Sequence, residues 1–188
     1  MVSMKKALLT ALAASFFCSL PAMAKINCYE DKDINALMYS ADRKITYFDH
    51  YATLDLVKTI CQDNSEKYRV IVRLVGLDYE KKFLENKADL LIDETSYSLK
   101  KIEFHNPYGV KPISNEVSAE FDIPVEVAAK LADFTKVLAV TIYPQYEKPR
   151  SFTFGKEEDA EIRMISKLGR KEFTAVQNGV LKPIGSEE

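Results

Sequence analysis

The sequence predicts an α+β domain that consists mainly of antiparallel β-sheet, arranged like a sandwich and capped by one or two helices. Short segments with strand patterns follow one another through most of the chain, and two amphipathic helices come late. The 188 residues contain no internal repeat and no linker rich in proline, glycine or serine, so we expect a single domain. The 10 tyrosines and 10 phenylalanines suit the core of a β-sheet.

Residues 1–24 have the layout of a secretory signal peptide. Two lysines give a positive start, residues 7–20 are mostly apolar, and small residues at the end allow cleavage after Ala24. The apolar run is too short to cross a bilayer, which needs about 20 residues. We therefore expect the mature domain to comprise residues 25–188 and to be exported, either to the periplasm or to the cell surface and beyond.

The charge balance excludes several classes of partner. The full chain carries a formal net charge of −2, and loss of the two leader lysines makes the mature chain more acidic. Lysine and arginine are spread along the sequence, so no basic patch is available for nucleic acid or anionic lipid. No apolar run after the leader is long enough for a membrane span. We expect neither a nucleic-acid partner nor a membrane span in the mature chain.

Alternation of apolar and polar residues predicts the strands. In residues 116–123 every second position is apolar and the positions between are charged or polar, which is typical of a half-buried antiparallel strand. In residues 96–105 the apolar positions change phase, which predicts a β-bulge near Lys100. Further strands are predicted at residues 44–49, 68–77, 88–93, 96–105, 136–143 and 150–154, the fifth of these being a central strand.

Two helices are predicted near the end of the chain. Residues 124–134 begin with a proline, which is tolerated in a first helical turn. Residues 155–169 start with acidic side chains and end with basic ones, an order that matches the helix dipole. In this second helix the expected apolar stripe consists of Ala160, Met164, Ile165 and Leu168, with Ile162 to one side.

Two segments leave their secondary structure open. Residues 53–61 can form either a strand or a helix of about two turns. Residues 173–184 contain Asn178-Gly179 between apolar runs, which is a signal for a hairpin but also fits the end of a helix.

The cysteines predict a disulfide. Cleavage of the leader removes Cys18 and leaves Cys28 and Cys61. Two cysteines in an oxidising compartment usually pair, so we predict a Cys28–Cys61 bridge that ties the new N-terminus to the body of the domain. The alternative is two separately buried thiols. The spacing is not that of a C-x-x-C motif, which disfavours a redox role.

The sequence carries no established catalytic signature. It has no G-x-S-x-G, S-x-x-K, H-E-x-x-H, phosphate-binding loop or G-x-G-x-x-G motif. On a strand Glu103 and His105 would share a face, and such a pair can act as acid and base or hold a metal. Two ligands are too few for a closed zinc site, which takes four. We therefore expect no catalytic residue, no cofactor and no metal.

Two groups of aromatic residues are candidates for ligand binding. Tyrosines cluster before residue 52 and again around the prolines at 144 and 149. Tyrosine offers rigid contact area with a polar tip, which suits a recognition surface. The alternative is that these rings fill the core or cap its ends. The predicted binding residues are Tyr47, Tyr51, Tyr143 and Tyr146.

Part of the chain resembles a known family. Residues 44–49, residues 68–74 and a strand that runs into Tyr108-Gly109 are similar to segments of small secreted bacterial proteins of the surface-adhesin protein E type. The resemblance covers residues 40–115, and it implies an adhesive or host-protein-binding role. The chain lacks the tryptophan common in such proteins, and residues 124–188 have no counterpart, so no binding residue is carried over.

Taken with the leader, these patterns favour a non-catalytic exported bacterial protein that binds a protein or peptide of the envelope or of a host. Two alternatives stay open. One is a hydrolase or metal-dependent enzyme that uses Glu103 and His105. The other is a carrier of a small ligand with an aromatic-lined pocket between sheet and helix.

Overall fold

A computed structural model describes residues 26–46, 50–76, 84–102, 116–144 and 148–178. Across these ranges the protein is mainly an antiparallel β-sheet that curls into a half-barrel, with three short helices. The strands are β1 (Asn27–Asp31), β2 (Ala36–Thr46), β3 (His50–Ile60), β4 (Glu66–Gly76), β5 (Leu84–Ile92), β6 (Thr95–Ile102), β7 (Glu116–Ile123), β8 (Leu138–Pro144) and β9 (Arg150–Thr153).

These nine strands form one sheet in the order β1-β2-β3-β4-β7-β6-β5-β8-β9. Every pair is antiparallel. The chain makes a meander from β1 to β4 and then continues with β5 further along the sheet. From there β6 and β7 return to β4, while β8 and β9 extend the sheet beyond β5. The predicted antiparallel sheet is confirmed, whereas the sandwich-like arrangement is not, because the described strands are continuous with one another.

Both predicted helices are present. The first, α1 (Val125–Ala128), continues as a 3-10 turn at Ala129–Ala132. The second, α2 (Lys156–Lys167), is followed by a 3-10 turn and then by α3 (Phe173–Gln177). The predicted apolar stripe of α2 is correct in part: Ile165 and Leu168 are buried and Met164 packs against the core, whereas Ala160 is exposed and Ile162, predicted to lie to one side, is buried.

The helices cover one face of the sheet, and the main core lies between them. Side chains alternate along a strand, so Leu54 and Leu56 of β3 point to this face together with Val70 and Val72 of β4. All four are fully buried, and burying a side chain of this size contributes about 1.5–3 kcal/mol. The same core includes residues of α1, α2 and α3, among them Leu131, Ile165 and Phe173.

The structure shows the secondary structure of most of the two segments for which the sequence allowed either a strand or a helix. Residues 53–61 belong to a strand, since β3 extends through Ile60. Residues 173–177 form α3, and the remainder of the predicted hairpin lies beyond the described residues. The predicted bulge near Lys100 is wrong, because β6 pairs with β5 without interruption from Thr95 to Lys100. The phase change arises because Ile102 lies on the other face, opposite Glu120.

The predicted Cys28–Cys61 disulfide is absent, and both cysteines are free and partly buried. The sheet register gives the reason. Cys28 of β1 lies opposite Tyr39 of β2, whereas Cys61 follows the last residue of β3, so β2 separates the two cysteines. Two strand spacings amount to about 10 Å, and a disulfide requires Cα atoms within about 7 Å. The structure therefore has the alternative arrangement of two separate thiols.

The C-terminal end of α2 is fastened to the sheet by buried polar groups. Lys58 Nζ donates to the carbonyl oxygens of Leu168 at 2.7 Å and Ser166 at 3.3 Å, and it pairs with Glu66 Oε1 at 2.8 Å. The Tyr39 hydroxyl donates to the Gly169 carbonyl oxygen at 2.7 Å. The Ser166 carbonyl is among those that a helix leaves without internal partners, and a cation near this end of α2 also suits the helix dipole.

The curl of the sheet brings its two ends together. β2 and β9 are far apart in strand order, yet Arg43 Nη1 donates a hydrogen bond to the carbonyl oxygen of Thr153. The contact lies beside Gly155, where α2 begins, so the first turn of that helix is held next to the start of the sheet.

Candidate functional site

The face of the sheet turned away from the helices carries polar and charged side chains, and we call it the polar face. It is defined by Thr53 and Asp55 of β3 with their cross-strand neighbours, since these alternate with the core residues Leu54 and Leu56. A small apolar cluster lies on the same face and consists of Met38, Val57 and Ile71, with Tyr29 packed against it. Charged groups on this face thus stand beside buried apolar surface, which restricts their access to water.

A pocket with a volume of about 250 Å³ opens on the polar face. The register of the first four strands explains it, because Asp42 of β2 lies opposite Asp55, and Thr53 lies opposite Arg73 of β4. Of the described residues, those that line the pocket are Asn27, Asp42, Thr53, Asp55 and Arg73. Five polar side chains from four strands therefore converge on one concavity, as in a binding site for a polar group.

The charges in the pocket are unevenly balanced. Asn27 Nδ2 donates to Asp42 Oδ1 at 2.6 Å. Arg73 Nη2 lies 3.7 Å from Asp55 Oδ2, and Arg73 Nε lies 3.9 Å from Glu116 Oε1. One guanidinium is therefore shared between a carboxylate inside the pocket and one beside it, while two carboxylates line the pocket itself.

Asp55 is a pocket acid whose pKa is shifted by its surroundings. The residue is only 4% exposed. Burial raises the pKa of Asp55 to about 6, the Arg73 guanidinium opposes this rise, and the negative charge of Asp42 adds to it. A carboxyl group with such a pKa in a cleft is typical of functional sites, although structural ion pairs can produce it too.

Thr53 contributes a polar atom without a partner. Its Oγ1 is buried and makes no hydrogen bond in the structure. Leaving a buried hydroxyl unsatisfied costs about 1–3 kcal/mol, so most buried polar groups in proteins are paired. Thr53 therefore carries an unsatisfied polar atom beneath the surface of the pocket that the residue lines.

A buried ion pair supports the polar face next to the pocket. Arg69 Nη1 of β4 pairs with Glu120 of β7, and Arg69 Nη2 donates to Thr59 Oγ1 at 2.8 Å. Glu120 is fully buried. Because these contacts link β3, β4 and β7, they fix the strands from which the pocket residues project.

Tyr51 is the predicted binding residue that lies near the pocket. It is on the polar face of β3, two residues before Thr53, and the Nζ atom of Lys44 lies 4.1 Å from its ring centroid. Lys44 is also the cross-strand partner of Thr53. Tyr51 and Lys44 therefore form a rim at one side of the pocket.

Tyr143 lies in a different part of the sheet. Its hydroxyl donates to Asp89 of β5, and Lys87 Nζ lies 4.5 Å from its ring centroid. The Asp89 hydrogen bond raises the pKa of Tyr143. Tyr51 and Tyr143 belong to the third and the eighth strand in sheet order, so the structure does not join them in one site.

Several predicted site residues fall outside the residues that the structure describes. These are Tyr47 and Tyr146, together with the alternative catalytic pair Glu103 and His105.

Sequence reasoning missed all five pocket residues. The available signal was Asp55, a lone acid inside the apolar stretch of residues 52–57.

A second pocket of about 250 Å³ lies between β4, α1 and the end of α2. This position matches the alternative prediction of a carrier pocket between sheet and helix. Tyr68 is the one aromatic side chain in its lining among the described residues, and Val125 at its edge is largely exposed. Its lining consists of Glu66, Tyr68, Val125, Ala128, Ala129, Ala132 and Ser166.

Within the described ranges, no group of three or more histidine, cysteine, aspartate or glutamate side chains is placed to hold a metal ion. No helix in those ranges combines the length and the apolar character that a membrane span requires. The chain matches no protein-family model, no curated protein and no solved structure, so the chemistry of the pocket is the basis on which a function can be proposed.

Proposed function

We propose that the protein is a non-catalytic binding protein of the bacterial envelope, and that it recognises its ligand with the pocket on the polar face. One observation carries this proposal: Asp42, Asp55 and Arg73 line one open concavity together with Asn27 and Thr53. Binding sites are typically concave and hold a few convergent polar groups that fix the orientation of the ligand.

The lining of this pocket favours binding over catalysis. Among the residues that the structure describes, the lining has neither histidine nor cysteine, which are the usual general base and the usual strong nucleophile. The pair Asp42 and Asp55 could supply acid–base chemistry, and an enzyme is therefore the alternative that a test has to address.

The ligand that fits this proposal is part of a protein or peptide. The pocket volume of about 250 Å³ suits one side chain or one chain terminus rather than a large molecule. The resemblance of residues 40–115 to proteins of the surface-adhesin protein E type supports a partner in the envelope or in a host.

Export is the first part of the proposal to test. When the full chain is expressed in a bacterium, we expect the protein in the envelope fraction, with the mass of residues 25–188. Because the structure has Cys28 and Cys61 unpaired, alkylation of the denatured protein without reductant should add two groups. Intact-mass spectrometry checks both points. A cytosolic protein that retains Met1 would contradict export, and a mass without adducts would contradict the free thiols.

Recognition by the pocket is the second part. We expect immobilised residues 25–188 to retain a subset of a random peptide library, and an Asp42→Asn/Asp55→Asn variant to lose that subset because the charged lining is gone. The retained peptides are identified by mass spectrometry before and after incubation.

Asp133→Asn is the matched control, because Asp133 is an exposed acid outside the pocket. Equal retention by the wild type and the double variant would exclude the pocket as the recognition site. Cleavage or other conversion of the peptides would identify an enzyme instead.

A further inference from the structure

The guanidinium of Arg73 on β4 stands between two carboxylates, one on each neighbouring strand. We propose that this group is a proton-operated switch, in which uptake of a proton from solvent by Asp55 transfers Arg73 from Asp55 to Glu116. In the same step the protonated Asp55 donates a hydrogen bond to Asp42. The proposal stands on the placement of one cation and three carboxyl groups on four adjacent strands. The switch operates in the free protein and goes beyond the binding role proposed above.

The sheet register gives Arg73 two alternative partners. Its direct cross-strand neighbours are Thr53 on β3 and Ser118 on β7. Asp55 lies two residues after Thr53, toward one end of β4. Glu116 lies two residues before Ser118, toward the other end. Both acids are thus diagonal neighbours of Arg73, and diagonal neighbours in a sheet are about 7–8 Å apart, within reach of a long side chain.

The distances place the guanidinium at an intermediate position. Arg73 Nη2 lies 3.7 Å from Asp55 Oδ2, and Arg73 Nε lies 3.9 Å from Glu116 Oε1. Both distances exceed the length of an N–H···O hydrogen bond, which is about 2.7–3.2 Å. The side chain of Arg73 is 21% exposed, compared with 6% for Asp55 and 11% for Glu116. A partly hydrated cation therefore lies between two largely buried acids, and a small rotation of its side chain brings it into full contact with one of them.

Asp42 supplies the acceptor for the proton that Asp55 takes up. The two residues are direct cross-strand partners on β2 and β3, so their Cβ atoms lie about 4.5–5.5 Å apart. Two ionised carboxylates at this separation repel each other, whereas a proton held between them forms a strong hydrogen bond. Asn27 Nδ2 donates to Asp42 Oδ1 at 2.6 Å, so Asp42 Oδ2 is the oxygen that we expect to accept from Asp55.

Glu116 is positioned to receive the cation. Its Oε1 accepts a hydrogen bond from Ser118 Oγ at 2.6 Å, which holds the carboxylate beside Arg73. Once Asp55 is neutral its attraction for the guanidinium falls, and the carboxylate of Glu116 becomes the stronger partner. The exchange needs no change in the backbone, because the side chains involved project from paired strands.

The charged surroundings of Asp55 set the pH at which the switch operates. Burial raises the pKa of Asp55 to about 6, with Arg73 opposing the rise and Asp42 adding to it. Departure of Arg73 removes this opposition, so protonation of Asp55 and movement of the guanidinium favour each other. Arg69 is held by an ion pair with Glu120. Among the described residues, the charged side chains that face Asp55 from neighbouring strands are Asp42 and Lys44 of β2, Arg69 and Arg73 of β4, and Glu116 and Glu120 of β7.

An NMR titration of the free protein tests the switch. In 13C,15N-labelled residues 25–188 between pH 4 and pH 8, we expect Asp55 Cγ to titrate near pH 6. The Nε–Hε signal of Arg73 should move with the same midpoint, and Glu116 Cδ should show a step at that pH because the cation arrives there. An Arg73 signal that stays unchanged while Asp55 titrates would overturn the proposal.

Two variants fix the switch in one position. Asp55→Asn keeps the shape of the protonated acid, so the Arg73 signal should stay throughout at the position that it has in the wild type at pH 4. Glu116→Gln removes the second carboxylate, so the Arg73 step near pH 6 should largely disappear. Asp133→Asn is the matched control, because Asp133 is an exposed acid that pairs with Lys167, and it should leave the step unchanged.

Glu116→Gln decides the question even if Asp55→Asn disturbs folding. A step of full size in Glu116→Gln would show that Arg73 responds to the charge of Asp55 without changing partners, and it would overturn the switch. The titration contains no ligand, so its failure leaves the binding role in place. Equally, peptide retention that does not depend on the pocket would overturn the binding role and leave the switch in place.

Discussion

Replacing Lys58 with alanine is expected to lower the free energy of unfolding by about 3 to 4 kcal/mol. Lys58 is 1% exposed and lies on the core face of β3. Its ammonium donates to the carbonyl oxygens of Ser166 and Leu168, so truncation removes this donor from both, and Ser166 keeps only the contact from the Tyr68 hydroxyl at 3.4 Å. The substitution also removes the long aliphatic stem of Lys58 from the packed interior. The measurement is urea-induced unfolding at pH 7.5.

Two matched variants separate the causes of this loss. Lys58→Met keeps most of the volume but not the donors, so we expect an intermediate loss of about 1 to 2 kcal/mol. Lys44→Ala removes an exposed lysine from the neighbouring strand and should change stability by less than about 0.5 kcal/mol. If Lys58→Ala were no more destabilising than Lys44→Ala, the attachment of α2 to the sheet would not depend on this side chain.

The sequence predicted strands with a clear alternation of apolar and polar residues better than strands without one. Residues 116–123 have a clean alternation and form β7 with the predicted boundaries. In β3 the core residues Leu54 and Leu56 are buried, but so are Val57 and Thr59 on the polar face. A strand buried on both faces loses its visible alternation, which is why residues 53–61 fitted a helix equally well.

For α2 the ends could be predicted from the sequence, whereas the exact centre of its buried face could not. Acidic residues at the start and basic residues at the end follow from the helix dipole, which is a local property. The apolar residues form two overlapping stripes, one through Ala160 and Met164 and one through Ile162 and Ile165. Spacing along the helix cannot choose between them, and contact with the sheet buries the second.

The separation of the two cysteines and the set of residues in the pocket depend on strand order and register, which could not be predicted from the sequence. A count of two cysteines predicts a pair, but the position of β2 between β1 and β3 keeps Cys28 and Cys61 apart. The pocket likewise takes residues from four strands, between Asn27 and Arg73. No single one of these residues is unusual in its own segment, and their chemistry arises only when the strands are paired.

Protonation of Asp55 is expected to stabilise the wild-type protein by about 2 to 3 kcal/mol as the pH falls from 7.5 to 4, since each unit of pKa shift corresponds to about 1.4 kcal/mol. Burial raises the pKa of Asp55 from 3.8 to about 6, so the folded protein binds this proton more tightly than the unfolded chain. The added stability is complete below the unfolded pKa of 3.8 and is lost as the pH rises through 6.

Asp55→Asn isolates this contribution from the other carboxyl groups, because the difference in unfolding free energy between variant and wild type depends only on the group removed. Urea unfolding between pH 4 and pH 7.5 should show this difference moving in favour of the wild type as the pH falls. Asp42→Asn removes the like charge opposite Asp55 and should lower the pH at which half of the stabilisation is lost. Arg73→Gln removes the opposite charge and should raise that pH. A difference that stays constant with pH, or that favours the variant at low pH, would show that the Asp55 carboxyl is well hydrated in the folded protein. In that case the carboxylates of Asp42 and Asp55 would repel each other only weakly, through water.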